Sequence, residues 1–171
     1  KTRAMTDASP PTGLRTSYAV DPVGIDDPEP TVRWQLSTDR RGAGQTAFRV
    51  LVATNPGRLT PEDADIWDTG KRRSERPAVR YDGPELTATE SYHWTVRVWD
   101  DRGEASPWSE PASWEMGLLD PEDWMASWIH RPTDEFERGE FSYVRREFAL
   151  DGEVARARAY VSASHQYALS A

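Results

Sequence analysis

Tyr92-His93-Trp94-Thr95-Val96-Arg97-Val98-Trp99 is the stretch that decides the fold. Tyr92, Trp94, Val96 and Val98 recur with period two, while His93, Thr95 and Arg97 take the alternate positions, as in a β-strand with one buried face. Its aromatic and β-branched content favours extended backbone. Upstream, residues 47–54 (AFRVLVAT) put Phe48, Val50 and Val52 on one face and Leu51 and Ala53 on the other, so an interior strand is expected. Val32-Arg33-Trp34-Gln35-Leu36 alternates in the same way. Turn-type residues separate these runs: Asp27-Pro28, Asn55-Pro56-Gly57, Asp82-Gly83-Pro84 and Asp101-Arg102-Gly103. Thr60-Pro61-Glu62-Asp63 suits one helical turn, with Thr60 as cap, but no stretch keeps helical periodicity for three turns. Short strands at intervals of roughly ten residues predict an all-β sandwich.

Composition removes whole classes of function. The 171 residues include no Cys, so there is no disulfide framework, thiolate metal site or cysteine nucleophile. A net charge of −8 opposes nucleic-acid phosphates. No apolar run approaches the ~20 residues of a membrane helix, and no secretory signal pattern opens the chain. Localisation is left open, cytoplasmic or secreted. Eight Trp, six Tyr and four Phe supply the aromatic payload of a packed core.

Three stretches follow from the patterning. Residues 1–13, with Pro10, Pro11 and Gly13, read as an irregular lead-in, and residues 14–118 hold the sandwich. Residues 119–171 open with Asp120-Pro121-Glu122-Asp123, a capped helical turn leading to Trp124 and Trp128. A charged loop over 134–140 follows, then strand-like runs at 143–150, 155–162 and 165–169. Three strands cannot bury two faces alone, so this second unit is expected to be an incomplete sandwich.

Leu86 followed five residues later by Tyr92, with apolar residues at 94, 96 and 98, resembles the E–F corner of a fibronectin type III or immunoglobulin-like sandwich. That resemblance implies a Tyr92 hydroxyl bonded back to the backbone and core roles for Trp34, Leu86, Tyr92 and Trp94. A narrower likeness runs through Leu14-Arg15-Thr16, Pro22-Val23-Gly24-Ile25-Asp26, Trp34-Gln35-Leu36 and residues 45–52 (QTAFRVLV). It continues through Ile66-Trp67-Asp68-Thr69-Gly70-Lys71, residues 92–100, Trp108-Ser109-Glu110-Pro111, residues 115–119 and residues 123–129. In this order the pieces resemble the N-terminal region of bacterial α-L-rhamnosidases of glycoside hydrolase family 78. The resemblance implies a fibronectin-like domain ahead of a jelly-roll-like sandwich, with hydrolysis performed by an (α/α)₆ barrel that has no counterpart in these residues. It implies, for a parent enzyme, removal of terminal α-L-rhamnosyl groups with inversion, by two carboxylates held apart to admit water. Ser162-Ala163-Ser164-His165-Gln166 stands where the family carries a Gly-rich tract.

No catalytic, metal or cofactor site is expected on this chain. The acidic clusters Asp26-Asp27, Glu62-Asp63-Asp65, Asp100-Asp101, Asp120-Glu122-Asp123 and Asp134-Glu135-Glu137 lie in polar, turn-like contexts where carboxylates stay solvated. His93, His130 and His165 form no zinc pattern. The tryptophans remain: Trp108, Trp114, Trp124 and Trp128 are candidates for cementing the joint to a neighbouring domain around 114–129, or for stacking on sugar. The expected function is that of a non-catalytic accessory region, its partners the neighbouring domains of the same polypeptide. The alternatives are a carbohydrate-binding module for a rhamnosyl glycoside and a stand-alone protein-interaction module.

Overall fold

The computed structural model describes residues 9–36, 44–130, 142–154, 156–164 and 166–170. They fall into two units, residues 1–126 and residues 127–171. In the first, the strands in chain order are β1 (Thr12–Thr16), β2 (Val23–Ile25), β3 (Thr31–Gln35), β4 (Gln45–Ala53), β5 (Trp67–Asp68), β6 (Arg72–Arg73), β7 (Ala78–Arg80), β8 (Ser91–Asp100) and β9 (Ala112–Met116). Strand β1 starts within the expected lead-in, whose residues 1–8 lie outside the described ones. One sheet orders β1-β3-β7, and the other orders β2-β9-β8-β4, with β5 and β6 both pairing the far edge of β4. All pairings are antiparallel except β2 with β9.

The two strands with the clearest alternation become neighbours at the centre. Strands β4 and β8 run in register through Val50 opposite Val96 and Val52 opposite Trp94. The inner faces bring Phe48, Val50 and Val52 together with Tyr92, Trp94, Val96 and Val98, all buried. Val32 and Trp34 close the core from the smaller sheet. Trp34 packs against Phe48 at a tilt of 58°, ring centroids 5.2 Å apart, and its indole N–H donates to Gln45 Oε1 at 2.8 Å, which removes the penalty of burying that polar group. Leu51 and Ala53, on the reverse face of β4, are buried as well, as expected of an interior strand.

Turn chemistry follows the residues. Asn55 caps a 3₁₀ turn over Pro56–Arg58, its side chain accepting from the Gly57 N–H at 2.8 Å. The Thr60 carbonyl accepts from Asp63 and Ala64, so the expected helical turn forms as a single hydrogen-bonded turn. Gly83 is required by a close approach: a Cβ there would sit 2.7 Å from the Tyr81 ring and 2.8 Å from Trp67. Tyr81 in turn donates to the Pro84 carbonyl at 2.6 Å, and burial pushes its phenol pKa up to about 12, keeping it a donor.

The corner between the sheets forms as its spacing implies. The Tyr92 hydroxyl accepts from the Thr87 N–H at 2.8 Å, and Leu86 is buried beside it. The compact unit runs past 118, since Leu119 packs on the core and a 3₁₀ turn over Pro121–Asp123 follows. Asp123 Oδ2 accepts from the N–H groups of Leu119 and Asp120.

The second unit differs from expectation. Among its described residues no strand or helix forms, and 143–150, 156–162 and 166–169 are irregular (155 and 165 lie outside the described residues). Tyr143, Val144, Phe148, Leu150 and Tyr167 are exposed. Alternation gives a strand its two faces, but only neighbouring strands can take its N–H and C=O groups.

Two substitutions test this core. Tyr92→Phe removes the acceptor for a corner N–H and is expected to cost about 1–2 kcal/mol. Trp34→Ala empties a packed aromatic site and is expected to cost about 3–5 kcal/mol. Denaturant unfolding followed by tryptophan fluorescence reads both, and a midpoint unmoved by Tyr92→Phe would refute the corner bond.

Candidate functional site

The four residues expected in the core, Trp34, Leu86, Tyr92 and Trp94, come together there. The four expected at a joint or against sugar differ in environment. Trp114 is only 1% exposed, inside the first unit, with its ring 5.5 Å from Tyr92 and 6.5 Å from Tyr81. Its indole N–H points to the Met116 sulfur at 3.2 Å. It belongs to the inward set of β9 with Met116, a consequence of alternation along Ala112–Met116. This corrects its assignment to a joint or a sugar platform. Trp124 is half-buried just past the 3₁₀ turn, and Trp128 is 71% exposed in the second unit. The turn ends at Asp123, so a shared helical face for Trp124 and Trp128 does not form.

Trp108 is half-buried and lies under a cation. The Arg97 guanidinium stands 4.7 Å from its ring centroid, and Lys71 stands 4.4 Å from the ring of half-buried Trp99. Arg97 faces Arg49 directly across the β4–β8 ladder. Burial first, and then Arg49, lowers the Arg97 pKa from its ordinary value, and Arg97 Nε has no hydrogen-bond partner. Arg49 itself is neutralised by a two-pronged pair with Asp68. Sequence spacing carries no sign of these partners, which lie 19 residues apart.

Several of the described carboxylates are committed to structure. Arg49 holds the Asp68 carboxyl below the usual range, and Arg72, through bonds of 2.7 and 2.9 Å, does the same for Asp82. Burial pushes Asp65 upward, but hydrogen bonds from the Thr54 hydroxyl and amide, with Arg58, outweigh it and leave the carboxyl low. Asp27 and Asp100 accept from nearby backbone N–H groups in turns. A glycosidase acid needs its carboxyl raised in an apolar pocket, and these three are shifted the other way. The Asp134-Glu135-Glu137 cluster lies outside the described residues, as does His165. Among the described residues no group of three or more His, Asp or Glu is placed to hold a metal. An open cavity of about 410 Å³ is lined by Lys71, Arg73, Asp100, Asp101 and Arg102, a mixture of both signs.

These shifts set the pH response. The folded pKa values of Asp65, Asp68 and Asp82 lie below their unfolded ones, so their stabilisation is complete above ~4 and is lost as pH falls through the folded values. His93 acts in the same sense at higher pH. Burial lowers its pKa against the pull of Asp21, so stability declines as pH falls from ~6.5 toward the folded value. Thermal unfolding from pH 7.5 to 3 should show a shallow limb and then a steep one. His93→Gln is expected to remove the first alone, and Asp68→Asn to reduce the second.

Comparison with known proteins places the domain. The family profile described as "Rha78A-like, N-terminal immunoglobulin domain" matches residues 11–120. An α-L-rhamnosidase of Streptomyces avermitilis is 38% identical over 122 residues, covering 71% of this chain and 12% of the relative. One from Formosa agariphila is 34% identical over 154 residues, covering 84% and 16%. The solved structure of α-L-rhamnosidase from Dictyoglumus thermophilum superposes with a TM-score of 0.71 at 32% identity, over 74% of this chain and 14% of that one. The Streptomyces avermitilis enzyme complexed with L-rhamnose gives 0.69 at 38% identity, over 72% and 12%. The chain spans 12–18% of the length of these curated relatives. By the immunoglobulin-like sandwich it builds and the profile that sandwich matches, the chain belongs to the Rha78A-like family, as that family's N-terminal domain.

Proposed function

We propose that this chain is the non-catalytic N-terminal accessory region of an α-L-rhamnosidase, bracing neighbouring domains of the same polypeptide. The parent would hydrolyse terminal α-L-rhamnosyl groups with inversion. The observation that carries this reading is the match of residues 11–120 to the N-terminal domain of a family whose curated relatives are several times longer. The electrostatics support it. Asp65, Asp68 and Asp82 are paired and acidified, the opposite of what a proton donor to a glycosidic oxygen needs.

Trp114 takes no part in a joint, because that ring is spent inside the sandwich, which leaves Trp108, Trp124 and Trp128 for that role. Half-buried Trp108 and its cap, Arg97, favour a second reading as a carbohydrate-binding surface, since a tryptophan face with an adjacent cation can stack on a sugar ring and donate to its hydroxyls. The two readings separate in one set of measurements. The 171-residue chain should release no phenol from an aryl α-L-rhamnoside, while the full-length polypeptide does. Deleting residues 1–126 from the full-length polypeptide should lower its thermal midpoint by several degrees, about what loss of a few kcal/mol produces. Turnover by the chain alone, or an unchanged midpoint, would overturn the bracing reading. Saturable L-rhamnose shifts of the Trp108 indole signal would move the function to carbohydrate binding.

A further inference from the structure

The connection from β1 to β2, residues 17–22, is built under strain and displays apolar side chains to solvent. Ser17, Tyr18 and Asp21 adopt φ of 45°, 73° and 42° without a glycine among them. An aromatic residue in this left-handed region is uncommon, and such backbone persists only where its surroundings hold it. Here they do. Thr16 and Ala19 exchange N–H to carbonyl bonds of 2.9 and 3.0 Å, and Ser17 donates to the Thr31 carbonyl at 2.9 Å. Arg15 donates to the Tyr18 carbonyl at 3.0 Å, and Asp21 Oδ1 accepts from the Ser113 N–H at 2.7 Å.

The side chain so fixed is not buried. Tyr18 is 71% exposed, and Arg33 covers one face of its ring at 4.3 Å and donates to its hydroxyl at 3.0 Å. Val20 and Val23, in the same connection and at the start of β2, are 60% and 56% exposed. A loop that only joined two strands could relax its backbone or turn these groups inward. Residues 17–23 instead preset an aromatic and two aliphatic groups, with Arg15 and Arg33 held on the aromatic one, and tyrosine with arginine is the pairing in which binding hot spots are rich. Arg33 Nε has no hydrogen-bond partner, although the protein as a whole carries a net charge of −8.

We infer that Tyr18, Val20 and Val23 form the docking patch through which this domain seats on the remainder of its own polypeptide, against an apolar surface edged with carboxylates. The inference rests on the proposed bracing function and names the surface that performs it. The occupant follows from two facts. The relatives carry more than four fifths of their length beyond the portion this chain matches, so a large attached body is at hand. Arg15 and Arg33 at the patch edge select a surface bearing acidic groups.

Amide hydrogen exchange on the full-length polypeptide, with the 171-residue chain as reference, tests the patch. The amides of residues 17–21 and 23 are expected to exchange at least about tenfold more slowly in the full-length protein. Val20→Asp should restore the faster exchange there, while leaving the unfolding midpoint of the 171-residue chain unmoved because Val20 is exposed. Equal rates in both proteins, or slowing that Val20→Asp leaves in place, would overturn the inference. Slowing confined to another surface of residues 9–126 overturns the patch and keeps the bracing function. Slowing nowhere on those residues overturns both. Protection that grows with the concentration of the 171-residue chain would give the patch to a second copy and likewise overturn the proposal.

Discussion

A buried aromatic chain holds the sandwich together. Trp67 meets Tyr81 at 4.9 Å, Tyr81 meets Trp114 at 6.5 Å, and Trp114 meets Tyr92 at 5.5 Å. The rings come from β5, the segment after β7, β9 and β8, so they tie strands that are far apart in sequence. The near-perpendicular contacts set edges against faces, the geometry that ring quadrupoles favour. Three of the four polar tips are answered locally: Tyr81 by the Pro84 carbonyl, Tyr92 by the Thr87 N–H, Trp114 by Met116 sulfur. Much else adjusts to this chain. Gly83 has no side chain because Tyr81 lies over it, and in the corner before Tyr92 Thr89 takes a φ of 67° and donates its N–H to the Gly117 carbonyl at 3.1 Å.

How much of this was legible depended on the length of the pattern. Strands β4 and β8 are nine and ten residues long, enough for period two to announce itself and to give both faces correctly. Leu86 and Tyr92 were legible for a different reason, since the corner is a local loop of fixed length. Strands β5, β6 and β7 have two or three residues each, too few to show any period. Trp114 was legible in principle, because Ala112, Trp114 and Met116 alternate. Its nearness in sequence to Trp108, Trp124 and Trp128 masks that alternation. Residues 143–150 show the converse: they alternate as a strand would, yet are irregular in the structure.

The charges tell a similar story. Reading acidic clusters as solvated loops captured their exposure but not their partners. Of the 21 basic residues 19 are arginine, and several hold strands and turns: Arg49 on Asp68, Arg72 on Asp82, Arg80 on Asp27 and Glu29. A planar fork suits a carboxylate in two places at once, which a lysine cannot match. Such pairs join residues ten or more positions apart, and no local pattern encodes them. The consequence reaches function, because a carboxylate held charged by an arginine is a poor proton donor at neutral pH.

This sandwich spends its core aromatics on cohesion and Asp65, Asp68 and Asp82 on arginines. What it retains is shape. The β1–β2 connection is where that shape costs most, with three left-handed residues that are not glycine. Glycine would relieve the strain, but a glycine at 18 would lose the ring that Arg33 grips. The side chain and the awkward backbone therefore come as one unit, and the unit faces outward. An interior built for rigidity and a surface fixed by that rigidity are two halves of one property: the packing that holds the core still also holds still the side chains it displays.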